Sequence, residues 1–545
     1  MLELVDKPFR QIAPTIGASS DELKLIFSFL LSYPLCGLLK RIPDSKPGWK
    51  NGFIIGVSIF YLVGLFDLWG GVQTLAISSI GAYLIAYFLR GSPFMPWIGF
   101  AFLMGHLSYN HILRQIIDEP SAVDVTGAQM VLVMKLNAFC WNVADGLLPD
   151  DQLSDFQRDR MLKELPPLID YAGYVLFFPS LFAGPAFDYS EYRQWIDTTM
   201  FDVPTTVEPA KRPPVRKQRR IPRSGGPATA KAIIGLLWIG AFVFLSGVYY
   251  PGALLEDSFL QYGFLKRILV MYLVGVAART KYYGVWTLTE GACILAGIGY
   301  NGADPVTGKI SWNRLQNIDP LAVETAQNPR AYLGGWNMNT SNWLRNYIYL
   351  RVTPRGKKPG FRASLMTFGT SAFWHGFHPG YYMSFILASF IQTSAKNFRR
   401  YVRPFFLDPH TGKPTPNKKI YDFICPIATQ LIFSFVVVPF LVLSFRDSWE
   451  VWRRLHYFAI VGVQLVMVFF ASPAKGFLRK QLETRQAKGR FFGPRPSLSR
   501  NASTDSVSST HPVLGVADNI EKDVTEMVEE IKAEIEAKQK SLKKD

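Results

Sequence analysis

The chain has 545 residues, of which 49% are hydrophobic, 14% aromatic and 19% charged, with a formal net charge of +17 and a mean hydropathy of +0.11. A soluble protein of this length carries about a quarter charged residues, so a freely soluble globular chain is excluded. The charge excess does not indicate nucleic acid: its densest part, Lys211-Arg212 through Arg216-Lys217, Arg219-Arg220 and Arg223, is broken by prolines and lies between two apolar runs. A basic loop of that kind stays on the cytoplasmic side, near an anionic leaflet.

Residues 1–20 are mixed and polar and show no basic start, apolar centre and small-residue cleavage site, so the first membrane helix is expected to serve as the targeting signal. Apolar runs follow near 25–42, 52–69, 73–89, 94–113, 128–146, 169–187, 232–253, 265–285, 287–300, 364–394, 422–445 and 455–472. Runs of this length cross a hydrocarbon core, and close neighbours can merge or re-enter, which predicts an all-α polytopic membrane protein with about eleven transmembrane or re-entrant helices. Lys135 lies inside one run and Asp67 near the end of another; ionisable groups at that depth face the protein interior, as packing or pathway residues. The four cysteines, Cys36, Cys140, Cys293 and Cys425, form no CxxC pair and no zinc spacing, and read as small buried hydrophobes.

The chain divides into a membrane-embedded body over residues 1–475, with a basic cytosolic loop at 196–231 and a polar segment at 302–362, and a cytosolic tail at 476–545. Long ordered segments that do not span tend to carry function. The tail reads as a Ser-rich linker from Ser497, then a helix whose stripe is Ile520, Val524, Met527, Val528, Ile531 and Ile535. Such a stripe suits a partner or membrane-surface face, and equally a solvated helix.

Two stretches carry chemistry. The 33 residues between Arg362 and Lys396 contain no Asp, Glu, Lys or Arg, and Ser371-Ala372-Phe373-Trp374-His375-Gly376-Phe377-His378-Pro379-Gly380 lies in their middle. An intramembrane histidine costs free energy unless partnered and is a functional candidate by default. Gly376, Pro379 and Gly380 break the helix just beyond His375 and open a cavity beside the imidazole. The alternative is a histidine that closes an interhelical hydrogen bond. His378, before a proline, suits capping or an interfacial position.

The second stretch is Gly334-Gly335-Trp336-Asn337-Met338-Asn339-Thr340-Ser341-Asn342-Trp343-Leu344-Arg345-Asn346-Tyr347-Ile348-Tyr349. Trp336, Trp343 and Tyr347 recur at near-helical spacing, as an interfacial aromatic belt or as a wall on which an Asn supplies a hydrogen bond to a reacting centre. Arg345, Arg351, Arg355, Lys357 and Lys358 follow, suited to lipid headgroups or cosubstrate phosphates. No HExxH, P-loop, paired His cluster or His followed at the fifth position by Asp occurs. These absences rule against zinc-peptidase, nucleotide-loop and di-iron chemistry, and the last argues against the glycerolipid acyltransferases that carry that His-to-Asp spacing.

On Trp336-Asn337, Trp343-Leu344, Tyr347-Ile348-Tyr349, Trp374-His375-Gly376 and Pro379-Gly380-Tyr381-Tyr382, the chain resembles the membrane-bound O-acyltransferase family, and within it the lysophospholipid acyltransferases. Phe178-Pro179, Gly184-Pro185 and Gly297 to Gly302 fit the same pattern more loosely. The run Arg351 to Phe361 is similar to the broad-specificity fungal branch of the endoplasmic reticulum. The resemblance implies His375 and Asn337 as catalytic residues, 38 positions apart, with Trp336, Asn339, Trp343, Arg345, Tyr349, Trp374 and Tyr381 in substrate binding. It implies acyl-CoA as cosubstrate, no tightly bound cofactor or metal, and a lysophospholipid acceptor acylated at its free hydroxyl, expected at sn-2. It implies an endoplasmic-reticulum membrane location. Tyr332-Leu333-Gly334-Gly335-Trp336-Asn337 departs from the sterol-acylating signature, which disfavours a sterol; a protein acceptor, or a transporter or scramblase with His375 on a proton or substrate path, are the other readings.

Overall fold

The computed structural model describes residues 2–117, 124–202, 220–353, 361–409 and 411–490. Among these the chain is helical; its only extended pairings are two isolated antiparallel bridges, Ala303 with Ile310 and Leu407 with Pro414. The Ser-rich linker and the expected helix at Ile520 to Ile535 lie outside the described residues, as do residues 203–219 of the basic loop and Arg355, Lys357 and Lys358.

The helices in chain order begin with α1 (Leu2–Ile16), α2 (Ser20–Leu39), α3 (Pro47–Ile59, continued by a π-helical turn Phe60–Leu65), α4 (Trp69–Phe88), α5 (Met95–Ile117) and α6 (Thr126–Asp145). Short helices α7 (Asp155–Arg160), α8 (Leu168–Val175) and α9 (Tyr189–Ile196) lead to α10 (Gly225–Ser246), α11 (Asp257–Leu260) and α12 (Phe264–Ala296). The polar segment forms α13 (Pro320–Glu324), α14 (Pro329–Gly335) and α15 (Met338–Leu344, continued by a π turn Arg345–Tyr349). Then come α16 (Phe361–His375), α17 (Pro379–Asn397), α18 (Lys418–Val442), α19 (Phe445–Arg454), α20 (Phe458–Ala471) and α21 (Ala474–Arg490).

Among the described residues, five helices are long and apolar enough to cross a membrane, α2, α3 with its π turn, α4, the α10 stretch and α18, and the pair α19–α20, bent by 81°, makes a sixth if it is one span. Two expected runs merge: 265–285 and 287–300 form the single 33-residue α12, about 50 Å long at the rise of an α-helix. The run at 169–187 is not one helix. It ends at Val175, turns through Phe178–Ser180 and passes a cis Gly184-Pro185 bond, because Pro179 and Pro185 each remove a ladder donor. The run at 364–394 breaks where glycine and proline predicted, between α16 and α17.

The described residues form two compact units. The first comprises 1–248, 277–318 and 374–377. Its entry is a capping box: the Glu22 amide donates to Ser19 Oγ (3.1 Å) and the Ser19 amide to Glu22 Oε2 (3.2 Å), two orphan donors satisfied together. Its helices approach closely where side chains are smallest. A Cβ on Gly235 of α10 would lie 2.7 Å from Leu288, and one on Gly284 of α12 would lie 2.6 Å from Ile239; close backbone approach is how helices associate without a hydrophobic driving force. Lys135, at 3% exposure, donates to the Tyr174 carbonyl (2.5 Å) and lies over the Tyr174 and Phe187 rings at 4.4 and 4.6 Å. Its amine is met by a carbonyl and two π faces, the surroundings of a packing residue. Asp67 is exposed at the left-handed residue that ends the π turn (φ 57°).

The second unit comprises 249–276, 319–373 and the chain from 378 onward. Its core joins Met271, Val274, Leu387, Phe435, Val451 and Trp452. Phe435 and Trp452 stack at 5.4 Å, and the Trp452 indole N–H donates to the Phe435 carbonyl (3.3 Å). Gln430 and Tyr332 tie the polar segment to α18: Gln430 Nε2 donates to the Val323 carbonyl (2.6 Å), and Tyr332 stacks on Phe433 at 4.1 Å.

Each unit also carries one copy of a six-residue turn that sequence inspection passed over, Asp304-Pro-Val-Thr-Gly-Lys309 and Asp408-Pro-His-Thr-Gly-Lys413. In both, the aspartate Oδ1 accepts from a threonine amide and hydroxyl, and the glycine amide returns to the aspartate carbonyl. In both, the glycine is left-handed, at φ 68° and 66°. Bonds from the Thr307 amide and hydroxyl hold the Asp304 carboxyl below the usual carboxylate range. A depressed carboxyl stabilises its turn above the unfolded pKa of about 3.9 and loses that contribution as pH falls through the folded value. Amide exchange at Thr307 and Gly308 is therefore expected to accelerate, relative to the intrinsic rate, as pH drops through the acid limb. Asp304→Ala should show the unprotected rate at every pH, and protection that persists in that variant would contradict the account.

Candidate active site

His375 is the last residue of α16 and belongs to the first unit with Trp374, Gly376 and Phe377. It is half-buried, its ring edge-on to Trp374 at 4.7 Å. The helix stops here because Gly376 takes φ +115°, a conformation that side-chain-bearing residues rarely adopt. Trp374 is fixed at both its polar ends. Its indole N–H donates to the Met130 carbonyl on α6 (3.0 Å), and its own carbonyl accepts from His111 Nε2 on α5 (3.0 Å). The turn that carries His375 is thus held by two neighbouring helices.

The helices that hold it are tied to each other. Asn110 Nδ2 donates to Gln129 Oε1 (2.9 Å), Gln129 Nε2 to His106 Nδ1 (3.3 Å), and Ser78 Oγ meets the same His106 nitrogen at 2.9 Å. Ser78 and Gln129 are fully buried. Polar side chains that bond across helices link α4, α5 and α6 at membrane depth.

Asn337, in the second unit, is left-handed (φ 43°, ψ 54°) and stands at the N-cap of α15. Asparagine tolerates this region better than other side-chain-bearing residues, so α14 stops at Gly335 and α15 starts at Met338. The expected continuous aromatic helix face is therefore split: Trp336 is extended and half-buried, whereas Trp343 and Tyr347 are 4% and 3% exposed. Those two are core residues of this unit and not an interfacial belt. Thr340 Oγ1 donates to Asn337 Oδ1 (2.9 Å), which engages the amide oxygen and leaves donation to the Nδ2 end.

The other predicted residues of this unit are half-buried. Asn339 is on α15, Arg345 and Tyr349 are in the π turn, and Tyr381 is on α17 with its ring 4.6 Å from Phe440. Arg345 bonds Asn346 Oδ1 (3.1 Å), and Arg351 bonds the Asn346 carbonyl (3.2 Å) with its guanidinium 5.8 Å from the Tyr347 ring. π turns insert one residue into a helix and recur at functional sites. His378 occupies the N-cap position of α17, but its side chain does not cap; its ring is 5.8 Å from Tyr381.

Sequence reasoning missed His111, His106 and Thr340. The two histidines carried the same signal that singled out His375, an imidazole in an apolar run (94–113), without a motif around it.

A family model described as MBOAT, membrane-bound O-acyltransferase family, matches residues 116–438. The chain belongs to that family. A lysophospholipid acyltransferase of Schizosaccharomyces pombe is 41% identical over 512 residues, 94% of this chain and 98% of the relative. One of Saccharomyces cerevisiae is 40% identical over 524 residues, covering 94% and 84%, and lysophospholipid acyltransferase 1 of Arabidopsis thaliana is 29% identical over 469, covering 85% and 97%. The matched span of the O-acyltransferase family contains both Asn337 and His375.

Thr340 offers a test of how the Asn337 amide is held. A net hydrogen bond contributes about 0.5–1.5 kcal/mol, so Thr340→Val should lower acyl-transfer turnover roughly three- to tenfold, while Thr340→Ser retains it. Equal turnover in both variants would show that the threonine hydroxyl has no part in the orientation.

Proposed function

We propose that this chain transfers a fatty acyl group from acyl-CoA to the free hydroxyl, at sn-2, of lysophospholipids in the endoplasmic reticulum membrane. The observation that carries this reading is identity of 40–41% along 94% of the chain to fungal proteins named lysophospholipid acyltransferase. The basic loop and the tail lie on the cytosolic side in this reading, where positive loops stay. Acyl-CoA is a cosubstrate, not a resident cofactor.

His375 acts as the general base. Its neutral imidazole accepts the proton of the glycerol hydroxyl as that oxygen bonds to the thioester carbonyl carbon, a step worth about 10²–10⁴-fold. Collapse of the tetrahedral intermediate breaks the C–S bond, and the imidazolium returns its proton to the thiolate. The second group is Asn337. With Oδ1 engaged by Thr340, its amino end donates. A base nitrogen must stay open for the substrate proton, so this donor suits the developing oxyanion better than the imidazole. Membrane burial excludes the water that would hydrolyse the thioester.

With the full chain in proteoliposomes, oleoyl-CoA and a lysophospholipid panel, His375→Ala is expected to abolish transfer at unchanged protein level. Full activity in that variant would remove His375 from the chemistry. Asn337→Gly keeps the left-handed backbone and removes the amide, with an expected loss of roughly 10²–10³ in turnover. Asn337→Asp separates the two roles. An oxyanion donor fails as an aspartate, whereas a group that orients the imidazole N–H would survive.

A further inference from the structure

We infer that His111 is a positioning residue for His375, acting on the residues to either side of it. The proposal rests on His375 being the base and adds the device that aims it. Three observations converge on the imidazole of His111. A carbonyl only accepts, so the 3.0 Å contact with the Trp374 carbonyl means that His111 Nε2 carries the proton, which fixes the tautomer. Trp374 is in the last turn of α16, where carbonyls have no intrahelical donor, so His111 supplies a partner from another helix. The ring body also lies along Gly376: a Cβ there would be 3.1 Å from His111 Nδ1 and 3.2 Å from its Cγ.

One imidazole therefore bonds the residue before His375 and covers the residue after it. Neither contact touches His375 as a substrate would; both act on the backbone that orients it. The reach is backed at both ends. Trp374 is pinned again through the Met130 carbonyl, and α5, which carries His111, is tied to α6 and α4 through Asn110, Gln129, His106 and Ser78. A base displaced by about 1 Å can lose roughly 10²-fold in rate while substrate still binds.

The test is steady-state kinetics on purified full-length protein in proteoliposomes, with oleoyl-CoA and a lysophospholipid. His111→Leu fills the space without a donor. His111→Gln carries an amide N–H₂ to about the Nε2 position, and His111→Asn carries one that falls short. The expected result is a fall in kcat of roughly 10²-fold for Leu and for Asn, KM for oleoyl-CoA within about twofold of wild type, and recovery of most of kcat by Gln. Wild-type kcat in the Leu variant would overturn the proposal. So would equal kcat in Gln and Asn, a comparison that stands if the Leu variant does not accumulate. An inactive His375→Ala beside a fully active His111→Leu sinks this inference alone, whereas an active His375→Ala sinks the reading beneath it.

Discussion

A backbone carbonyl or amide left without a partner in hydrocarbon costs several kcal/mol, and this constraint is visible at several breaks between the described helices. Four of these breaks are answered by a polar group from elsewhere in the same unit. The Trp374 carbonyl at the end of α16 has His111, and the Tyr174 carbonyl near the end of α8 has Lys135. The Leu176 carbonyl has the Ser58 hydroxyl, and the Pro222 carbonyl ahead of α10 has Lys40 (2.7 Å). At the start of α17 the Gly380 amide returns to the Leu443 carbonyl (2.8 Å). Some of the buried polar side chains are thus located by where helices stop, beside others, such as Ser78 and Gln129, that bond between helix interiors.

Broken helices and chemistry coincide for the same reason. A continuous helix buries its own polar groups and offers the membrane only side chains. Where the ladder opens, donors and acceptors are exposed, and other side chains must converge to satisfy them. Such convergence holds geometry firmly, since releasing any one contact leaves an uncompensated polar atom. The turn at Trp374 to Gly376 and the left-handed Asn337 are both of this kind. The two proposed catalytic residues are thus rooted in backbone irregularity.

Much of this was legible in the sequence. Hydropathy gave an all-α membrane protein, and Gly376 with Pro379 placed the break beside His375. Other features were not legible, for physical reasons. The merger into α12 and the division of 169–187 depend on whether a boundary carries a strong breaker: nothing between 285 and 287 stops a helix, whereas Pro179 and Pro185 do. The split at Trp336-Asn337 was masked because helical spacing of aromatics survives a one-residue left-handed kink. His111 was hidden because its task is defined by a partner more than 260 positions away (|i−j| = 263), which no local pattern encodes.

The paired Asp-Pro-x-Thr-Gly-Lys turns have a different significance. Two loops in different units adopt the same hydrogen-bond pattern from five shared letters out of six, so the conformation follows from those letters. The chain thereby contains its own internal control for context. Grafts, epitope insertions or fluorophore attachment at one turn can be calibrated against the other, and any difference between them measures what the surroundings add.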